Sequence, residues 1–340
     1  MTEADAVLVL LWLSLSAYCV LAGADFGAGV WDLVAGGTRH GMRQRRRIAA
    51  SIGPVWEANH VWIIFALVIL WTGFPGVFAA VASTLYIPLT LVGFGIIIRG
   101  SSFALRKAAP QLVLKRLFSP GFALASLVTP FFLGTIAGAI ASGRVPAGIA
   151  RGNVLSSWTG PTSLLGGLLA AAGCAFLAAV YLCVDSRRNH EDDLVESFRR
   201  RALVAGAVCA AIALAGIDVL RLDAPRLYDG LLSRGLPLLL SSVFLSVCSL
   251  VLLWRRRYAL TRALAAGAVV TVLWAWAVAQ FPDLLVGGAT VAQSAAPPAT
   301  LTALIIAVSV GAVIVLPSLG LLAWLVRLPR LHTNSGVVSR

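Results

Sequence analysis

Apolar residues in this chain come in unbroken runs of about 20, the length an α-helix needs to cross the hydrocarbon core of a bilayer. The runs lack the 3.6-residue rhythm of a helix that keeps one face in water. Backbone inside lipid must satisfy its N–H and C=O groups internally, so such runs fold as transmembrane helices. Nine spans are expected, at about 7–31, 52–71, 75–98, 119–142, 162–184, 202–220, 235–254, 261–281 and 301–326. Charged residues are only 12% of the 340, about half the share in a soluble domain. Residues 1–340 are therefore read as a single integral membrane domain, all-α and polytopic. The lengths allow two four-helix bundles plus one peripheral helix, with spans 2–5 and 6–9 as the groups and the first span outlying.

A net charge of +13 raises nucleic acid as a partner, but the placement of the basic residues decides otherwise. Those after the odd-numbered spans total 22, against five on the other side (Arg144, Arg151, Arg221, Arg226 and Arg234). By the positive-inside rule the N-terminus is expected outside and the C-terminus in the cytoplasm, with the chain multi-pass in the membrane. The charge is a topology signal, and no nucleic-acid partner is expected. Glu3 and Asp5, with no basic segment, precede the first span, which reads as permanent and not as a removable signal. The five cysteines lie in apolar segments without CxxC spacing and read as small core residues, with neither disulfides nor a metal site.

The charged loop 185–201 reads as solvated, or as a short cytoplasmic helix. Residues 282–300 form a Gly-, Ala- and Pro-rich external loop whose only charge is Asp283. No repeat of fixed period appears.

Of the 14 acidic residues most sit in loops or at span ends, and two lie within spans, Asp25 and Glu57. An ionisable group there is costly, about 2.5–3.5 kcal/mol for Asp at mid-helix, and it usually faces the bundle interior on an ion or proton path. The topology sets both at one depth, near the inner face. Around Asp25 the chain reads "AGADFGAGVWDL", where Gly23 and Gly27 form a small-xxx-small pair that admits a neighbouring helix. The plainer alternative is an Asp neutralised by an arginine of the 39–47 cluster.

In "SIGPVWEANHVWIIF", residues 51–65, Ser51 suits an N-cap and Pro54 the first turn. Glu57 then lies near the positive end of the helix dipole, with His60 at i+3 on the same face, so the two can share a proton. Against this stands a helix-stabilising carboxylate with His60 as an interfacial contact. His40, His190 and His332 are in loops or tails, so no bis-His haem site or metal spacing is present. Phosphate loops and hydrolytic triads are absent, and no catalytic residue is expected. Trp12, Trp31, Trp56, Trp71, Trp254 and Trp324 fall near span ends as an aromatic belt. Arg99 and Arg106, closing the third span, are placed to pair with Asp25 or Glu57 or to snorkel toward headgroups.

These stretches, with "FPGVFAAVASTLYIPL" and "IIIRGSSFALR", resemble the amino-terminal third of subunit II of cytochrome bd-type quinol oxidases, in order and spacing over residues 17–107. Beyond residue 110 the likeness rests on span number and spacing. The resemblance implies an accessory subunit of a respiratory terminal oxidase that oxidises quinol and reduces dioxygen to water. It implies an obligate heterodimer with subunit I, which carries haems of b and d types, and small single-span subunits and membrane lipid as further partners. This chain would hold no cofactor, stabilise subunit I and line a cytoplasmic proton path. The pathway acid falls on Glu57 and the acid of the glycine-rich motif on Asp25; the proton pathway is read as Glu57, Asp25 and His60, with Asn59, Trp56, Arg99 and Arg106 in support.

Many members have Trp-Asp-Gly-Asn followed by Glu or Gln, where this chain has Trp56-Glu57-Ala58-Asn59-His60. The polar segment before the ninth span shrinks to "ATVAQSAAPPATL". Both mark a divergent branch. A proton-coupled small-molecule transporter would also use membrane carboxylates, but paired interrupted spans are missing. A third reading is a structural scaffold whose acids are neutralised by Arg99 and Arg106.

Overall fold

The computed structural model describes residues 2–52, 56–108 and 112–327, and only the backbone at 56–58, 106–108, 112–119, 316, 319 and 322–327. Helix α1 (Glu3–Leu33) begins with a capping box: the Asp5 N–H donates to Thr2 Oγ1 at 3.2 Å and the Thr2 N–H to the Asp5 carboxylate at 2.8 Å. The basic segment that follows folds as α2 (Arg39–Ile52). It buries Gln44, Ile48 and Ile52 at i, i+4 and i+8 and leaves Arg39, Arg43 and Arg46 exposed.

Next come α3 (Trp56–Gly73), α4 (Pro75–Thr84), α5 (Tyr86–Ala108) and α6 (Leu112–Ala141). Then follow α7 (Ser156–Thr159), α8 (Pro161–Arg188), α9 (Asp192–Asp223), α10 (Pro225–Leu232), α11 (Leu236–Trp254) and α12 (Thr261–Gln280). A small hairpin of β1 (Asp283–Leu285) and β2 (Ala289–Thr290), α13 (Val291–Ser294) and α14 (Pro298–Arg327) end the described chain. Among the described residues eight helices are long and apolar enough to cross a membrane, or nine if the bent pair α3–α4 is one span.

That pair alters the expected third span. The stretch 75–98 is divided: α4 turns 118° from α3, and the crossing helix is α5. Pro75 supplies no N–H to continue α3, so the chain restarts as a new helix behind the fully buried Phe74. The Gly73 carbonyl accepts instead from the Ala296 N–H at 2.8 Å, which ties the segment between α13 and α14 to the break. The loop expected at 185–201 is also mostly helical, because α9 begins at Asp192 and runs unbroken into its span.

The helices sort into two bundles of four, α1, α3, α5 and α6, then α8, α9, α11 and α12, while α14 lies along α1 and α3. The architecture is thus two four-helix bundles plus one peripheral helix, but the groups are spans 1–4 and 5–8. The first span is central, since α1 joins the bundles through α8 and α12, and the ninth is the outlier. Where α6 crosses α8, a Cβ on Gly134 or Gly138 would overlap the backbone of Gly166 or Thr162. Apolar side chains such as Leu214, Phe244 and Val313 face outward, as helices in lipid require.

At the end away from the Arg-rich segments, Asp223 clamps three elements. Its carboxylate takes both guanidinium arms of Arg144 and, at the start of α8, the Thr162 N–H at 3.0 Å and hydroxyl at 2.6 Å. Hydrogen bonds to a charged group contribute about 1.5–3 kcal/mol when partly buried, whereas exposed pairs such as Arg187–Asp192 contribute about 0–1 kcal/mol. Asp223→Ala is therefore expected to destabilise the detergent-solubilised protein by about 2–3 kcal/mol. Asp192→Ala should leave its Tm nearly unchanged, and thermal melts of the two variants check the contrast.

Candidate functional site

Asp25 lies on α1 where glycines bring two helices close. A Cβ on Gly27 would overlap the Cys174 carbonyl of α8, and one on Gly29 would overlap the Ser126 side chain of α6. The carboxylate is held in this packed region at 5% exposure. It accepts a hydrogen bond from the Asn59 Nδ2 of α3, which also lies 3.4 Å from the Leu21 carbonyl. Asn59 is itself 5% exposed, so the pair is cut off from water at the surface of the chain.

One residue on, the His60 ring stacks on Phe26 with centroids 5.8 Å apart and meets Tyr18 at 6.1 Å. Arg99 of α5 completes the group. It is 1% exposed, donates from Nε to Ser126 Oγ at 3.0 Å, and acts electrostatically on Asp25 and Tyr18. The Ser126 hydroxyl donates onward to the Phe122 carbonyl at 2.7 Å, so the guanidinium is braced through α6. Its Cζ sits 4.9 Å from the Phe26 ring and 5.2 Å from the Phe122 ring, a cation–π sandwich suited to a desolvated charge.

The fold thus brings Asp25, Asn59, His60 and Arg99 together from α1, α3 and α5. The side chains of Trp56, Glu57 and Arg106 lie outside the described residues. Three of the five arginines in the 39–47 cluster are engaged elsewhere: Arg43 pairs with Asp193, Arg45 lies 3.8 Å from Asp32, and Arg47 pairs with Glu191 and Asp185.

Sequence reasoning passed over Tyr18, Phe26 and Ser126. Tyr18 is seven residues before Asp25, two turns along the same face of α1, a spacing that would have found it. Ser126 carried no such signal, being 27 residues from Arg99 on another helix. The Tyr18 hydroxyl and Arg99 Nη2 are both buried with no hydrogen-bond partner among the described residues. Buried polar atoms of this kind are usually served by ordered water.

A buried carboxylate beside a guanidinium, an amide and a phenol can hold and pass a proton. Among the described residues His60 is the only histidine on a span, and its ring is packed between Phe26 and Tyr18. Among them, too, no three His, Cys, Asp or Glu side chains group as metal ligands.

Comparison with known proteins agrees with this architecture. The profile of the family described as cytochrome bd terminal oxidase subunit II matches residues 4–326. A subunit II relative from Bacillus subtilis (strain 168) is 25% identical over 236 residues, 68% of this chain and 66% of that one. Cytochrome bd-I ubiquinol oxidase subunit 2 of Escherichia coli (strain K12) is 28% identical over 135 residues, 40% of this chain and 35% of that one. The matched region is thus under two thirds of either relative's length. A chain in the structure of bd oxidase from Geobacillus thermodenitrificans shares the fold, with a TM-score of 0.73 at 24% identity, over 96% of this chain and 98% of that one. With its eight to nine spans and bacterial relatives, this is a multi-pass protein of a bacterial cytoplasmic membrane. The chain belongs to the cytochrome bd terminal oxidase subunit II family.

Proposed function

We propose that this chain is the accessory subunit of a respiratory quinol:dioxygen oxidoreductase, stabilising a haem-bearing subunit I and lining a proton path to it from the cytoplasm. The observation that carries the proposal is the buried Asp25–Asn59 pair beside Arg99. A carboxylate kept inside a membrane bundle is costly and is retained where protons or ions pass. Reduction of dioxygen consumes protons, which the haem chemistry of the partner subunit would draw through this chain. Glu57, two residues before Asn59 in the first turn of α3, is the acid proposed to collect them at the Arg-rich face. Asp25 receives them, Tyr18 and Arg99 hold water between the helices, and His60 shapes the wall. The positive-inside bias supports the same orientation, with the Arg-rich face cytoplasmic and the N-terminus outside.

A scaffold reading is favoured by one observation, the charge of Arg99 acting on Asp25, which would neutralise the acid without moving a proton. Purification by a tag on this chain in mild detergent tests the assembly. Haem absorbance co-eluting with a larger partner band is expected. A colourless preparation without that band would overturn the oxidase assignment.

A further inference from the structure

At the Arg-rich end, His40 of α2 and the first turns of α9 border an open surface groove of about 520 Å³ lined by His40, Asp193, Glu196, Ser197, Arg200 and Arg201. Its two acids are already taken. Asp193 receives both arms of Arg43, and Glu196 is bound by Arg199 and Arg200, with Arg256 at 3.5 Å. Four guanidiniums therefore engage two carboxylates.

Arg201 has neither acid. It donates from Nη2 to Gln44 Oε1 at 2.9 Å, and its Cζ is held 5.3 Å from the Trp31 ring and 5.6 Å from the Phe198 ring. Its Nη1 is buried with no hydrogen-bond partner among the described residues. Such a guanidinium is fixed in orientation with unspent donors, the arrangement that recognises a phosphate. Ser197 adds another donor, since its Oγ accepts from Gln44 Nε2 at 3.0 Å and leaves its own hydrogen free.

We propose that this groove binds the phosphate of an anionic phospholipid headgroup, with the Arg201 guanidinium, the Ser197 hydroxyl and Arg200 as donors. The surface beside it favours a lipid over free phosphate. Arg200, Val204 and Val208 follow at i, i+4 and i+8 on α9, and the two valines are 63% and 46% exposed, an apolar track for an acyl chain. The site is separate from the Asp25 cluster and does not depend on the proposed function.

Native mass spectrometry of the full chain, in whatever complex it purifies with, tests the site using phosphatidylglycerol and phosphatidylcholine added at equal concentration. Phosphatidylglycerol should be retained about fivefold more strongly, the contribution of roughly one arginine at a charged lipid surface. Arg201→Gln should abolish that preference. Ser197→Ala and Arg200→Gln, which leave the aromatic stack in place, should weaken it and guard against loss of fold in the first variant. Equal retention of the two lipids, or an unchanged preference in all three variants, would overturn the proposal. Displacement of phosphatidylglycerol by millimolar inorganic phosphate, with equal thermal stabilisation by phosphate alone, would support the anion site but overturn the lipid as its occupant.

Discussion

Gly27→Val is expected to abolish stable accumulation of the chain in the membrane. At this position α1 lies against the backbone of α8, and a Cβ would overlap the Cys174 carbonyl and crowd the Ala175 nitrogen. Backbone cannot rotate aside as a side chain can, so the two helices would have to separate. Separation would also break the bond from Trp31 Nε1 to the Ala175 carbonyl, 2.8 Å long and one turn along. Overpacking in a core costs about 1–3 kcal/mol where side chains can adjust. With backbone as the obstacle the cost lies at the top of that range or above it, a large fraction of total stability. Gly93→Ala is the control, because a Cβ there meets nothing within 4 Å and alanine favours the helix. Quantifying both variants in the membrane fraction checks the contrast. Wild-type levels of Gly27→Val would mean that α1 and α8 do not pack in this way.

The crossing helices were legible because each apolar run is long enough to span, and that signal is local. The break at Phe74–Pro75 was hidden by the same property, since the apolar run continues across it and only the proline marks a restart. Asp25 stood out as an intramembrane acid flanked by glycines. Its partner Asn59 was also within reach, being in the same motif as Glu57 and His60. Which helix each group faces was not. Arg144 and Thr162 meet Asp223 from 79 and 61 residues away, and periodicity carries no information at that range. The tryptophans show the same limit. Trp31 sits near a span end as expected of a belt, yet its indole N–H turns inward to α8, and Trp12 packs edge-on against Trp276 of α12 at 5.0 Å. The α6–α8 crossing rests on Gly134 and Gly138, a spacing visible in the chain whose partner only the fold identifies.

Asp25→Asn is expected to slow the assembled oxidase without dismantling it. The amide has nearly the shape of the carboxylate and can still hydrogen-bond Asn59, but it cannot accept a proton at neutral pH. A positioned acid–base group contributes about 10²–10⁴-fold to a proton-transfer step. With water available as a partial bypass, the loss in turnover is expected to be at least about tenfold. Glu57→Gln should act in the same direction if it feeds Asp25. A scaffold role predicts the opposite pattern, in which removing a charge from the bundle leaves turnover intact and changes only stability.

The most direct measurement is quinol-driven oxygen consumption together with proton uptake, on Asp25→Asn complex whose haem content matches the wild type. A fall of about tenfold or more in both rates is the predicted result. Unchanged rates at equal haem content would contradict the proton path and leave Asp25 a structural residue.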